Sequence, residues 1–143
     1  MHDSKKTKAL ILLNSSVVCF AISTFSLLII PINLIDEDFK IILISSLFWL
    51  GFIAGMALTF ALSFIRKKAD KKTYPYPGII CFFKNKAATV CDVLWIACSL
   101  TLIVLSVVLG SQHIVHTAFL SLTLFGCCMH AILNGNNFAF VKK

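Results

Sequence analysis

The chain has 143 residues, 59% hydrophobic and 13% charged, with a formal charge of +7 and a mean hydropathy of +0.93. A water-soluble domain of this length cannot cover so much apolar surface, which excludes that class. The basic charge does not point to nucleic acid, because it flanks long apolar runs, as lysines and arginines ordinarily do beside membrane spans.

Uncharged apolar runs of about 20 residues cross a hydrocarbon core as helices. Four such runs occur, at residues 9–30, 41–65, 88–109 and 113–133, and they take up most of the chain. Residues 1–143 therefore read as a single integral membrane domain, an all-α, polytopic four-helix transmembrane bundle. Lys5, Lys6 and Lys8 precede the first run, and Lys142 and Lys143 end the chain. Arg66, Lys67, Lys68, Lys71, Lys72, Lys84 and Lys86 fill the basic loop 66–87, whereas only Lys40 falls in the alternate loops. The positive-inside bias then places both termini and the basic loop in the cytoplasm.

The first run is too long for a secretory leader and ends at Pro31 without a small-residue cleavage site, so it reads as an uncleaved span. Ser16, Cys19, Ser23 and Ser26 share one helical face, a small, polar stripe that turns inward. Asn14 lies near the cytoplasmic end of the same helix. Pro31 stops the helix because it has no N–H for the ladder. In loop 32–40, Asp36, Glu37 and Asp38 are either a cation-attracting vestibule or, more simply, a solvated turn.

In the second run, Gly51 and Gly55 continue at four-residue spacing into Thr59 and Ser63. Such a ridge lets another backbone approach closely. With four helices to satisfy, a partner within the chain is preferred to a second copy. Next come Tyr74-Pro75-Tyr76-Pro77-Gly78, which rule out a continuous helix. Tyr74, Tyr76, Phe82 and Phe83, bracketed by lysines, read as an interfacial segment among anionic headgroups; docking of a cytoplasmic partner ranks second.

Only Gly110-Ser111-Gln112 separates the third run from the fourth. Asp92, Ser99 and Ser106 recur at heptad spacing, and so do His116, Thr123 and His130. Folding about Ser111 sets Asp92 against His130, Ser99 against Thr123 and Ser106 against His116, a polar seam expected at the centre of the bundle. Thr89-Val90-Cys91-Asp92 also matches a capping box, so the plain reading of Asp92 is a first-turn carboxylate. The functional reading is a carboxylate that steers His130 toward proton relay or cation binding, with Asn14 and Ser63 completing a cytoplasm-facing pocket. Interhelical hydrogen bonds in membranes are worth only about 1 kcal/mol, so a structural pair is the preferred account. Trp95 reads as an interface anchor, and Asn134-Gly135 as a helix stop, after which Phe138 and Phe140 dip into the interface.

None of the six cysteines lies in an outer loop, so they are not a disulfide framework. Cys91, Cys127, Cys128 and His130 are soft-metal ligand types, but adjacent cysteines point to different helix faces and no C-x-x-C occurs. His113 and His116, one turn apart, are explained by a membrane-edge turn. No metal and no other cofactor is expected.

No span contains Glu, and H-E-x-x-H, G-x-S-x-G and phosphate-cradling glycine loops are absent, so an enzyme is not expected. The plan resembles small, basic, four-span bacterial membrane proteins, with no motif specific enough to name a family. None of their properties is carried over; the expected location, from the spans themselves, is a cell membrane crossed several times, the bacterial plasma membrane. The leading expectation is a non-catalytic accessory or interaction subunit. Its partners would be the lipid bilayer, anionic headgroups at the basic loop, and another protein or a second copy through Gly51 and Gly55, but not nucleic acid. The alternative is a small transporter or channel for protons, metal ions or a small solute along the polar seam. Protection against membrane-active peptides is a third.

Overall fold

A computed structural model describes residues 2–67, 82–83 and 86–134. The helices are α1 (His2–Phe25), continued by a 3-10 turn at Ser26–Ile29, α2 (Glu37–Lys67), α3 (Lys86–Val108) and α4 (Ile114–Asn134). All four are long and apolar enough to cross a membrane. The chain is a small, all-α multi-pass membrane protein, and its outward apolar faces meet lipid.

Local chemistry moves three helix boundaries from their expected places. The α-helical part of the first span ends at Phe25, five residues early. There, Thr24 Oγ1 donates to the Phe20 carbonyl (2.9 Å) and Ser26 Oγ to that of Ser23 (2.6 Å), so hydroxyls compete with the ladder before Pro31 is reached. The second helix starts at Glu37 rather than residue 41 because Asp36 caps it, its Oδ2 accepting from the Phe39 N–H at 3.3 Å. Glu37 and Asp38 then occupy the first turn, where the helix dipole favours them. Buried Lys40 donates to Glu37 at 2.7 Å. The acidic triplet thus builds a helix start. At α4, His113 Nδ1 accepts from the Val115 N–H at 3.2 Å, and the helix begins one residue later than expected.

Two antiparallel hairpins form. In the first, the glycines of α2 face α1: a Cβ on Gly51 would stand 2.8 Å from the Cys19 carbonyl oxygen, and one on Gly55 2.9 Å from the Phe20 ring. Ser16 Oγ donates to the Gly55 carbonyl (3.1 Å) and meets Thr59 Oγ1 (2.7 Å), while Ser23 Oγ donates to the Phe48 carbonyl (2.7 Å). The small ridge is therefore filled from within the chain. This is the partner within the chain that the ridge was expected to prefer, and α1 occupies the face a second copy would use.

The hairpins meet through α1 and α4, where Phe25 lies against Phe125 at 5.6 Å. Ala9, Leu13, Phe20, Leu62, Met129 and Ile132 form the apolar core around this junction. The helices thus pack in the order α2, α1, α4, α3. The expectation that the second hairpin sits at the centre is wrong for α3, because the polar stripe of α1 is used on α2 and only α4 is left to meet α1. Tyr74, Tyr76, Gly135, Phe138, Phe140 and most of the basic loop lie outside the described residues, as does the side chain of Ser63.

Candidate functional site

His130 and Asn134 are one turn apart near the end of α4 and so share a face. Asp92 projects from α3 about 9 Å along from its start at Lys86, given 1.5 Å per residue. These three side chains meet. Asp92 Oδ1 lies 2.7 Å from His130 Nδ1, and Asn134 Nδ2 lies 3.0 Å from each Asp92 oxygen. The Phe83 N–H donates to Oδ2 at 3.0 Å. The cluster is closed to solvent, with relative exposures of 0% for Asp92, 2% for His130 and 1% for Asn134.

An ionised carboxylate only accepts, so we assign the proton between the pair to His130 Nδ1. Three donor groups engage both oxygens of the Asp92 carboxylate, the Asn134 amide reaching the two together. Such engagement is what makes a buried charge tolerable, since an unpaired one would be far costlier. His130 is satisfied on one side only. Its Nε2 is buried without a hydrogen-bond partner among the described residues.

Two aromatic rings wall the imidazole, Phe82 at 4.5 Å and Trp95 at 4.8 Å between centroids. Gly126 admits the indole, for a Cβ there would come within 2.8 Å of Trp95 Cδ1. Phe83 has φ of +55°, a conformation that non-glycine residues adopt only when something holds it. The Asp92 hydrogen bond is that hold, and it lays residues 82–83 over the mouth of the α3–α4 seam.

The remaining seam residues divide. Ser106 Oγ and His116 Nε2 are 3.0 Å apart. Ser99 and Thr123 are not paired: Ser99 Oγ turns back to the Trp95 carbonyl at 2.8 Å, and Thr123 Oγ1 is buried without a partner. Asn14 is exposed on α1 and stands outside the cluster. The capping-box reading of Asp92 also fails, because α3 begins at Lys86 and leaves Asp92 beyond the first turn.

Sequence reasoning missed three participants. Asn134 passed for a stop signal, although its H-x-x-x-N spacing from His130 places the two on one face. Phe82 and Trp95 have the sequence context of headgroup-level rings, and nothing in their spacing reveals that they close on His130.

Fold and site together define a four-span membrane protein with a buried acid–histidine–amide cluster at one end of its second hairpin. No protein-family model matches the chain, and neither does any curated protein or solved structure.

Proposed function

We propose that the chain is a non-catalytic accessory or interaction subunit of a cell membrane, the bacterial plasma membrane. Both termini and the segment between α2 and α3 then lie in the cytoplasm, as the lysine and arginine placement favours. The observation that carries the non-catalytic reading is the engagement of both Asp92 oxygens by donors from its own chain. A carboxylate so engaged fixes the register of a hairpin and leaves neither oxygen free for a substrate.

The flanking helices supply the interaction surface. Along α3, Leu100, Ile103 and Val107 are exposed at steps of three and four residues, on the side away from α4. In this reading a partner helix covers this stripe. Extraction in mild detergent, with mass determination and identification of whatever co-elutes, tests the reading. The expected result is a stoichiometric complex that the triple variant Leu100→Ala, Ile103→Ala, Val107→Ala dissolves. A lone 15.8 kDa chain in its micelle overturns it.

A further inference from the structure

A side chain that faces lipid inside a span must be apolar or must match its own polar groups. Two exposed hydroxyls of α3 take the second course. Thr101 Oγ1 donates to the Ala97 carbonyl at 2.9 Å, and Ser106 Oγ to that of Leu102 at 2.8 Å. Asn14 takes neither. Its amide is exposed on α1 and has no hydrogen-bond partner among the described residues. The span Thr7–Ile29 is about 34 Å long at 1.5 Å per residue, against a hydrocarbon core of about 30 Å. Seven residues in, Asn14 lies about 8 Å inside the hydrocarbon, where an unmatched amide is costly.

Asn14 belongs to a row. Ile11, Val18 and Ile22 are exposed as well, and with Asn14 they follow steps of three, four and four residues along one side of the helix. With about 3.6 residues per turn, that side lies half a turn round from buried Ala9, Leu13, Ser16, Phe20 and Ser23. Those five pack in the core or on α2. The row is therefore the outer face of α1, covered by no described residue. Its three apolar members are β-branched and hold nearly one rotamer in a helix, so packing them against a neighbour costs little side-chain freedom.

The amide decides which neighbour fits. It offers two hydrogens and one carbonyl oxygen, so a matching surface needs both an acceptor and a donor at the same depth. Lipid tails supply neither. Another copy of the chain supplies both, because copies that cross the bilayer in one sense carry Asn14 at one level. A two-fold axis along the membrane normal then lets each amide donate to the oxygen of the other.

We propose that a second copy of this chain docks on the outer face of α1, the two parallel α1 helices meeting at Asn14. One asparagine in an apolar seam sets register as well as copy number. A slip of one turn would set each amide against Ile11 or Val18. Lys8, exposed six residues nearer the cytoplasm, reaches headgroup level, where its charge is solvated. The glycine ridge of α2 takes no part, since the opposite side of α1 fills it. The dimer goes beyond the accessory reading, whose surface is the α3 stripe.

The test is sedimentation equilibrium of the purified full chain in dodecyl maltoside, paired with cross-linking in membranes. Wild type should be a dimer. Asn14→Leu, similar in size and outward-facing, should weaken it about tenfold, the worth of two interhelical hydrogen bonds, whereas Asn14→Gln keeps the amide and should keep the dimer. In a cysteine-free background, copper–phenanthroline oxidation should link Val18→Cys to its partner but leave Ile53→Cys on α2 and Ile103→Cys on α3 unlinked, although both positions are exposed. A monomeric wild type overturns the proposal, as does a dimer that Asn14→Leu leaves unweakened. Linkage at Ile103→Cys in place of Val18→Cys overturns it too. A single copy bound to a different protein sinks the dimer and upholds the accessory reading. A dimer that survives the triple variant of the α3 stripe, with nothing else co-eluting, does the reverse.

Discussion

Adding one methyl group at Gly51 or at Gly55 tests how α1 and α2 hold together. In Gly51→Ala the new Cβ would sit 2.8 Å from the Cys19 carbonyl oxygen and 3.0 Å from both Ser23 N and Ser23 Cβ. Two of those three atoms are backbone, locked in a helix, so relief requires moving α1 as a body. In Gly55→Ala the methyl would meet Phe20 Cε1 and Cζ at 2.9 Å, and a ring can swing. Carbon–carbon contacts are comfortable at about 3.5–4.0 Å, so each site needs a shift of roughly 0.6 Å or more. At Gly55 the ring is hemmed in by Phe52, 5.8 Å away, but it has a soft direction to move.

Moving α1 also stretches the Ser16–Gly55, Ser16–Thr59 and Ser23–Phe48 hydrogen bonds. Interhelical hydrogen bonds in membranes contribute about 0.6–1 kcal/mol each, and overpacking costs about 1–3 kcal/mol. Replacing glycine by alanine inside a helix returns about 1 kcal/mol. Gly51→Ala should therefore destabilise by about 2–3 kcal/mol, and Gly55→Ala by about 1 kcal/mol or less. Unfolding by sodium dodecyl sulfate in dodecyl maltoside micelles, followed by tryptophan emission, measures both. Equal stability for Gly51→Ala and wild type, or the reverse order of the two variants, would refute the argument that backbone contact at Gly51 sets the spacing.

The second hairpin gives further expectations. Asp92→Ala removes the acceptor of the Phe83 N–H and of His130 Nδ1–H and leaves the Asn134 amide with the His130 carbonyl, so it should cost about 2–3 kcal/mol in the same titration, at about 1 kcal/mol per bond lost. Gly126→Ala should push the indole off His130, because its methyl would come within 2.8 Å of Trp95 Cδ1; the change is read as a shift in Trp95 emission in a Trp49→Phe background. Asp36→Ala removes the cap of α2 and should cost at most about 1 kcal/mol, read by the same detergent titration. For the proposed orientation, Ser111→Cys should react with an impermeant thiol reagent added outside intact cells, and Ser4→Cys only after permeabilisation, in a cysteine-free background.

What the sequence made legible follows from the solvent. The four spans could be read because a bilayer requires runs of fixed length and polarity. The boundaries were less legible, since side-chain hydroxyls at Thr24 and Ser26 and the Asp36 cap decide them locally. Heptad arithmetic brought Asp92 to His130 and Ser106 to His116, but it assumed that facing hydroxyls bond each other. Ser99 shows why that fails: the carbonyl one turn back on its own helix is always within reach, and taking it requires no partner. Helix order was illegible because it depends on which polar stripe meets which, and only the glycine ridge, which α1 fills, hinted at one such match.

The same contrast bears on why the second hairpin is built as it is. If the Asp92 cluster served only to fasten α3 to α4, a serine–carbonyl contact like those between α1 and α2 would do so without burying an ionisable pair. A carboxylate and an imidazole in hydrocarbon are harder to maintain than a hydroxyl, and the chain adds Asn134 and the Phe83 N–H to maintain them. The difference between the two arrangements is the remaining imidazole nitrogen, held in one orientation by Asp92 and kept from solvent by Phe82 and Trp95. Fastening explains the carboxylate. It does not explain a basic atom that the surrounding structure orients and leaves unmatched.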